Sequence, residues 1–184
     1  MARAALSQET VVDLAVALVD ESGPEALTLS AVAARAGVAT PSLYKHVRNL
    51  AELRELLSVR IIDEISDELG PAVLGRSGEE AVGAFMDAWR AYVTRHPNRY
   101  AVVIQQPHPS MRTAGERLMG IMLATLRGYG LADSDAIHTA RCMRAAAHGF
   151  AVLEASGAFG LPERLDESYD LLKHMIVAGL TAPR

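Results

Sequence analysis

The sequence predicts an all-α fold. Its apolar residues recur at helical spacing almost everywhere, it contains no Asn-Gly or Asp-Gly hairpin turn, and Gly-Pro pairs at 23–24 and 70–71 punctuate it. The 184 residues suit one medium domain or a small domain joined to a larger one. Half of them are hydrophobic, which predicts a sizeable core.

Ser7 is a good N-cap for a first helix reaching about Ser22, with Val11, Leu14, Ala15, Leu18 and Val19 in one stripe and Gly23-Pro24 as its stop. Thr28 can cap a short second helix that turns Leu29, Val32, Ala33 and Ala36 inward and ends at Gly37. A third opens at Thr40-Pro41, where proline fits because the first turn does not use its missing N–H, and ends near Val47. A longer fourth runs from about Asn49 to Leu69 with Leu53, Leu56, Leu57, Ile61 and Ile65 inward. Gly70-Pro71, Gly75 and Gly78 then mark the clearest boundary. Beyond it come Glu79–Arg95, with Val82, Phe85, Met86, Trp89 and Val93 on one face, and a short piece after Pro97. Val102-Val103-Ile104 has strand propensity but stands among helices and is read as helix. Met111–Tyr129, Asp133–Ser156 and Asp166–Leu180 complete about nine helices, and the linker Gly157–Pro162 separates the last two.

Charge is distributed unevenly. The net charge is −4 and the pI about 5.9, values that speak against a wholesale nucleic-acid coat protein. Residues 1–27 carry Arg3 against Glu9, Asp13, Asp20, Glu21 and Glu25, whereas residues 28–51 carry Arg35, Lys45 and Arg48 and no acid. A basic island thus lies within an acidic chain. The single cysteine, Cys142, rules out an internal disulfide and fits a reducing compartment. Ser7, Gln8, Glu9 and Asp13 break any signal-peptide core behind Arg3, and no apolar run approaches the roughly 20 residues that span a bilayer. A cytoplasmic protein with no membrane partner is expected.

The basic island coincides with a tight corner. Ala33 is small where two helices cross closely, Gly37 can take the positive φ of the turn, and Val38 and Leu43 plug it from inside. This is the arrangement of a helix-turn-helix, whose second helix enters the DNA major groove. With Leu43 and Val47 buried, Thr40, Pro41, Ser42, Tyr44, Lys45 and His46 are left mostly outward. Tyr44 and Ser42 can donate to phosphate oxygens, Lys45 can reach phosphate or guanine, and threonine or proline can pack on thymine methyls. DNA binding is the favoured reading, but the spacing also describes a helical corner with a solvated face.

Residues 10–57 resemble the DNA-binding domain of the tetracycline-repressor (TetR) family, most specifically in LTLSAVAARAGV (27–38) and PSLYKHVRN (41–49). The resemblance implies a three-helix DNA-binding domain (1–50), then a larger helical effector-binding and dimerisation domain (51–184) with helix 49–69 as connector. It also implies phosphate contacts, or support for them, from Thr28, Tyr44, His46 and Asn49, and a base-facing role for Thr40, Pro41, Ser42 and Lys45. Arg3 would belong to an N-terminal arm. Many relatives carry a lysine where this chain has Leu50, so Arg48 or the amide dipole of the helix N-terminus has to compensate, or phosphate affinity is lower. The stretch RAAAHGFAVLEASGAFGLP (144–162) resembles the effector-domain subgroup named for a Trp-His-Gly motif, with Ala147-His148-Gly149 in place of the triplet.

The small residues Ala136, Ala140, Ala145, Ala146, Ala147, Gly149, Ala151 and Ala155 of helix 133–156, with Leu171, Leu172, Met175, Ile176 and Gly179 of the last helix, predict a homodimer through these two helices. Ordinary packing within one chain is the competing reading. Candidates to line an effector pocket are Phe85, Met86, Trp89, Tyr92, Tyr100, Met119, Met122, Leu126, Met143, His148 and Phe150. His96, Arg99, Gln105, His108 and Cys142 could add polar contacts. Most such residues at helical spacing are simply core.

An enzyme and an adaptor are the rival classes. No glutamate is followed three residues later by histidine, as a di-iron bundle needs, and the pairs Asp135/His138 and His138/Cys142 do not make a metal site. No nucleophile elbow and no Gly-rich phosphate loop after a strand occurs. No catalysis, metal or cofactor is therefore expected. The expected function is ligand-responsive regulation of transcription at a double-stranded, pseudo-palindromic DNA operator, most simply as a repressor released by a small apolar effector. The alternative is a helical protein–protein adaptor whose corner no longer binds DNA.

Overall fold

The computed structural model describes residues 6–105, 112–131 and 133–181, so Arg3, His108 and Met111 lie outside the described residues. Among the described residues are eight α-helices and three short 3-10 turns, and no strand. The helices are α1 (Gln8–Ser22), α2 (Leu29–Ala36), α3 (Leu50–Val73), α4 (Gly78–Arg95), α5 (Pro97–Gln105), α6 (Arg112–Thr125), α7 (Asp133–Ala155) and α8 (Leu165–Thr181). The 3-10 turns are Pro24–Ala26, Thr40–Lys45 and Arg127–Tyr129.

The chain divides into two compact units, one of Met1–Ile62 with His96–Thr113 and one of Asp63–Arg95 with Ala114–Arg184. By compactness, α5 and the first half of α3 group with the N-terminal helices.

In the first unit, helix starts follow their caps. The Ser7 hydroxyl accepts from the Thr10 N–H at 3.1 Å, and the Thr28 hydroxyl accepts from the Ala31 N–H at 3.1 Å. Gly23 ends α1 by donating its N–H to the Val19 carbonyl. The core gathers Val11, Ala15, Val19, Leu27, Val32, Leu43, Val47, Leu53 and Leu57, all essentially inaccessible. α5 packs on α1 and is tied to its end, with Arg99 Nε donating to Asp20 Oδ1 at 3.1 Å and Asn98 to the Asp20 carbonyl at 3.1 Å.

The second unit is built around α4, which buries Ala81, Val82, Phe85, Met86, Trp89, Tyr92 and Val93. α7 lies along it and buries Ala140, Met143, Ala147 and Ala151, a helical stripe of mostly small side chains that lets two helix backbones approach. The N-terminal half of α8 is fastened by Tyr169, whose hydroxyl donates to the Met86 carbonyl at 2.6 Å. Arg90 makes two 2.6 Å hydrogen bonds to Glu154 and pairs with Asp166 at 2.9 Å. Its guanidinium also lies 5.5 and 4.7 Å from the Phe150 and Tyr169 ring centres. Burial of the tyrosine and the carboxylates beside it push the Tyr169 hydroxyl's pKa well up, so it stays a donor.

Three helix expectations are corrected. The 49–69 helix continues through Gly70-Pro71 to Val73, although Pro71 has no N–H to give the preceding turn. The Met111–Tyr129 helix ends at Thr125, where the chain tightens into Arg127–Tyr129 and Gly130 turns it with φ 61°. The third helix, Thr40–Lys45, is 3-10 rather than α. Val102-Val103-Ile104 is helical, as read.

Candidate functional site

The corner is set by backbone chemistry. Gly37 takes φ 66° and ψ 34°, and α2 ends with the Gly37 N–H on Ala34 and the Val38 N–H on Ala33, both at 3.0 Å. These are the paired bonds of a Schellman end, which favours glycine at the left-handed position. Pro41 then sits in the first turn of Thr40–Lys45, and Leu43 and Val47 anchor the segment in the core. In a 3-10 turn residues three apart eclipse one another. Pro41 therefore stands over Tyr44, and Ser42 over Lys45.

Pro41, Tyr44 (56% exposed), Lys45, Arg48 and Asn49 are exposed, while Thr40, Ser42 and His46 are half-buried. The expected DNA residues thus form one continuous stretch, with Thr28 exposed at the start of α2. Two of them also hold the scaffold: the Thr28 hydroxyl caps α2, and Asn49 Oδ1 caps α3 by accepting from the Glu52 N–H at 2.9 Å. The His46 carbonyl accepts from Gln8 Nε2 at 3.1 Å, which ties the start of α1 to the end of the turn.

The basic island is less basic than its composition. Arg35 is held by Glu21 through two hydrogen bonds, 2.7 and 2.5 Å, and this pairing draws the Glu21 carboxyl below its ordinary pKa. Arg48 pairs with Glu52 at 3.1 Å and also gives it its main-chain N–H. That backbone bond, with the guanidinium beside it, lowers the Glu52 pKa. Of the three bases only Lys45 has no carboxylate partner among the described residues. The sequence reading missed Glu21 and Glu52 because both lie just outside the acid-free window. The four-residue spacing of Arg48 and Glu52 was a legible signal. Leu50 is half-buried and opens α3.

In the second unit Phe85, Met86, Trp89, Tyr92, Met122, Leu126 and Met143 are buried, and Met119, His148 and Phe150 are half-buried. Tyr100 is buried in the first unit. Much of this set is interlocked core. The Phe85 and Trp89 rings lie 5.7 Å apart, Phe150 packs on Tyr169 and Phe159 at 4.8 and 4.9 Å, and Tyr92 donates to Glu64 at 3.2 Å. Leu126 also borders a cavity of about 360 Å³ together with Leu123, Arg127, Gly130, Leu131, Asp133, Ala136 and Ile137, residues that sequence reading did not combine. Among the polar candidates, Arg99 is committed to Asp20, Cys142 is exposed, and His96 and His148 are half-buried. Burial, then the charge of Arg144, pushes the His148 pKa down.

The residues named for the two-helix dimer differ in exposure. Ala140, Ala147 and Ala151 are buried within the chain, on a helix that packs against α4 and α8. Ala145 and Ala155 remain exposed, as do Leu153, Leu171 and Met175, the last two by 61% and 63%. Among the described residues no group of three or more His, Cys, Asp or Glu could hold a metal, and no helix is long and apolar enough to cross a membrane.

Residues 11–56 match the family model described as "Bacterial regulatory proteins, tetR family", and residues 82–176 match "Tetracyclin repressor-like, C-terminal domain". The latter description does not name a Trp-His-Gly subgroup. An uncharacterized HTH-type transcriptional regulator of Mycobacterium tuberculosis is 35% identical over 158 residues, covering 84% of this chain and 72% of the relative. The solved structure of BioQ with its double-stranded DNA operator superposes with a TM-score of 0.69 at 22% identity, covering 94% of this chain and 99% of that one. A TetR variant from Acinetobacter baumannii in complex with minocycline superposes with a TM-score of 0.72 at 17% identity, covering 95% and 96%. The matches of both halves, on a helix-turn-helix corner and a helical C-terminal unit, show that the chain belongs to the TetR family of bacterial transcriptional regulators.

Proposed function

We propose that this protein is a ligand-responsive repressor that holds a pseudo-palindromic operator as a homodimer. The observation that carries the reading is the stretch Pro41–Asn49, which carries no acid of its own. It is exposed at Pro41, Tyr44, Lys45, Arg48 and Asn49, stands on buried Leu43 and Val47, and includes Lys45, which has no carboxylate partner among the described residues. Two copies of residues 40–46 would enter successive major grooves about 34–36 Å apart. Thr28, Tyr44, His46 and Asn49 would serve the phosphates, directly or as support, while Thr40, Pro41, Ser42 and Lys45 face bases. The operator-bound BioQ and minocycline-bound TetR structures support the two ligand classes by analogy of fold.

Dimerisation is assigned to the outward faces of α7 and α8. Leu153, Leu171 and Met175 form an exposed apolar set there that a second copy would cover. The effector domain is 51–184, with a small, largely apolar effector among the α4, α6 and α7 side chains. Its placement in the Trp-His-Gly subgroup rests on the stretch 144–162, in which Ala147-His148-Gly149 stands in place of the triplet. α3 is continuous through residue 62 and belongs to both compact units, so it is the natural lever between effector and operator. A coupling of about 1–3 kcal/mol would release DNA by roughly five- to 150-fold.

Fluorescence anisotropy with labelled upstream intergenic DNA tests the reading. Binding well above that to random DNA at modest salt is expected. Equal affinity for both would instead favour the adaptor.

A further inference from the structure

The start of α3 joins three groups in one small network. Asn49 Oδ1 accepts from the Glu52 N–H at 2.9 Å, Glu52 Oε2 accepts from the Arg48 N–H, and Glu52 Oε1 lies 3.1 Å from Arg48 Nε. A glutamate that only capped the helix would return to the N–H of the N-cap residue itself, here Asn49. Glu52 reaches one residue further. Its carboxylate takes a main-chain N–H with one oxygen and a guanidinium with the other. These two donor types also hold a DNA phosphate. Arg48 is 81% exposed while Glu52 is 19% exposed, so the carboxylate is tucked in and the cation stands free on its outer side.

We propose that Glu52 is an internal competitor for phosphate, and that Arg48 contributes to operator affinity only when it exchanges Glu52 for the DNA backbone. The proposal rests on the DNA-binding reading above. Glu52 acts through Arg48 and is a positioning residue, not a DNA contact. An ion pair with so exposed a cation is weak and screened by salt. It holds affinity down by a small factor and leaves the basic face less adhesive to DNA in general. The exchange is a matter of charge and reach, so it lowers affinity for operator and random DNA alike and leaves base preference untouched.

The test is anisotropy of the full chain with operator and random duplexes across a salt series, for wild type, E52Q, R48A and the double variant R48A/E52Q. E52Q keeps a carbonyl oxygen for the Arg48 N–H and removes the charge. It is expected to bind both duplexes about two- to fivefold tighter at low salt. Its log–log salt slope should be steeper by about one. R48A/E52Q should bind no more tightly than R48A. If E52Q were unfolded by circular dichroism, E52D takes its place, since it keeps the charge but is too short to hold the guanidinium while capping; it should show a gain that R48A again removes. Wild type binding the operator with E52Q unchanged would overturn this proposal alone. An equal gain from E52Q in the R48A background would also overturn it, assigning Glu52 mere repulsion of DNA. If wild type and every variant bound no DNA, the parent reading would fall with it.

Discussion

Lys45 and Arg48 are three residues apart and carry the same charge, yet they stand in different electrostatic company. Arg48 is matched by Glu52, whereas Lys45 has no carboxylate beside it among the described residues, so Lys45 is the cation available to DNA without rearrangement. Lys45→Ala should weaken operator binding by about 1–3 kcal/mol and flatten the salt slope by about one, with dimerisation unchanged, as read by anisotropy and sedimentation. His148 provides a second residue-scale expectation. Its proton is lost more easily in the folded state than at the ordinary value of 6.5, because burial and Arg144 oppose its charge. The folded chain then binds fewer protons than the unfolded one in that window. The stability contributed by neutral His148 is complete above about pH 6.5 and lost as pH falls through the lower folded value. Between pH 7.5 and 5, the melting temperature of wild type should fall further than that of His148→Gln.

At the scale of elements, the short connection from α2 to the Thr40–Lys45 turn does the most with the fewest residues. Its left-handed residue closes α2, and a side chain at φ 66° is disfavoured. Gly37→Ala should cost about 1 kcal/mol in urea unfolding and loosen operator binding along with it. The 3-10 form of the turn also narrows the exposed face, because Pro41 and Tyr44 eclipse, as do Ser42 and Lys45. In the second unit, α7 presents one stripe to α4 and a different one to solvent, so small residues that look alike in sequence serve opposite sides.

For the molecule as a whole, the decisive question is what covers the outward faces of α7 and α8. Their inner sides are already satisfied by α4, Tyr169 and the Arg90–Glu154–Asp166 cluster, which leaves Leu171 and Met175 exposed on a helix fixed in place. A charge buried at a symmetric apolar contact is strongly disfavoured. Leu171→Glu should therefore give a monomer by sedimentation with helical content retained, and with operator affinity reduced because two half-sites are no longer read together.

Most of the fold was legible because helices announce themselves through interactions within four residues. Ser7, Thr28, Gly23 and Gly37 act on their immediate neighbours, and the stripes of α1 and α4 follow from 3.6-residue periodicity alone. The exposed side of residues 40–49 was legible for the same reason, since Leu43 and Val47 declare which side is inside. Composition could not show that Arg35 and Arg48 are neutralised, although Glu52 at four residues' distance hinted at one of the pairs. Nor could it tell that Ala140, Ala147 and Ala151 are buried while Ala145 and Ala155 stay exposed. The sequence by itself determined the order of the helices and which short corner is proposed to meet DNA. Only the tertiary structure decided how much positive charge that corner has left and which small residues remain for a partner. Side-chain pairing and helix packing depend on groups brought together from distant positions, and local spacing carries no record of them.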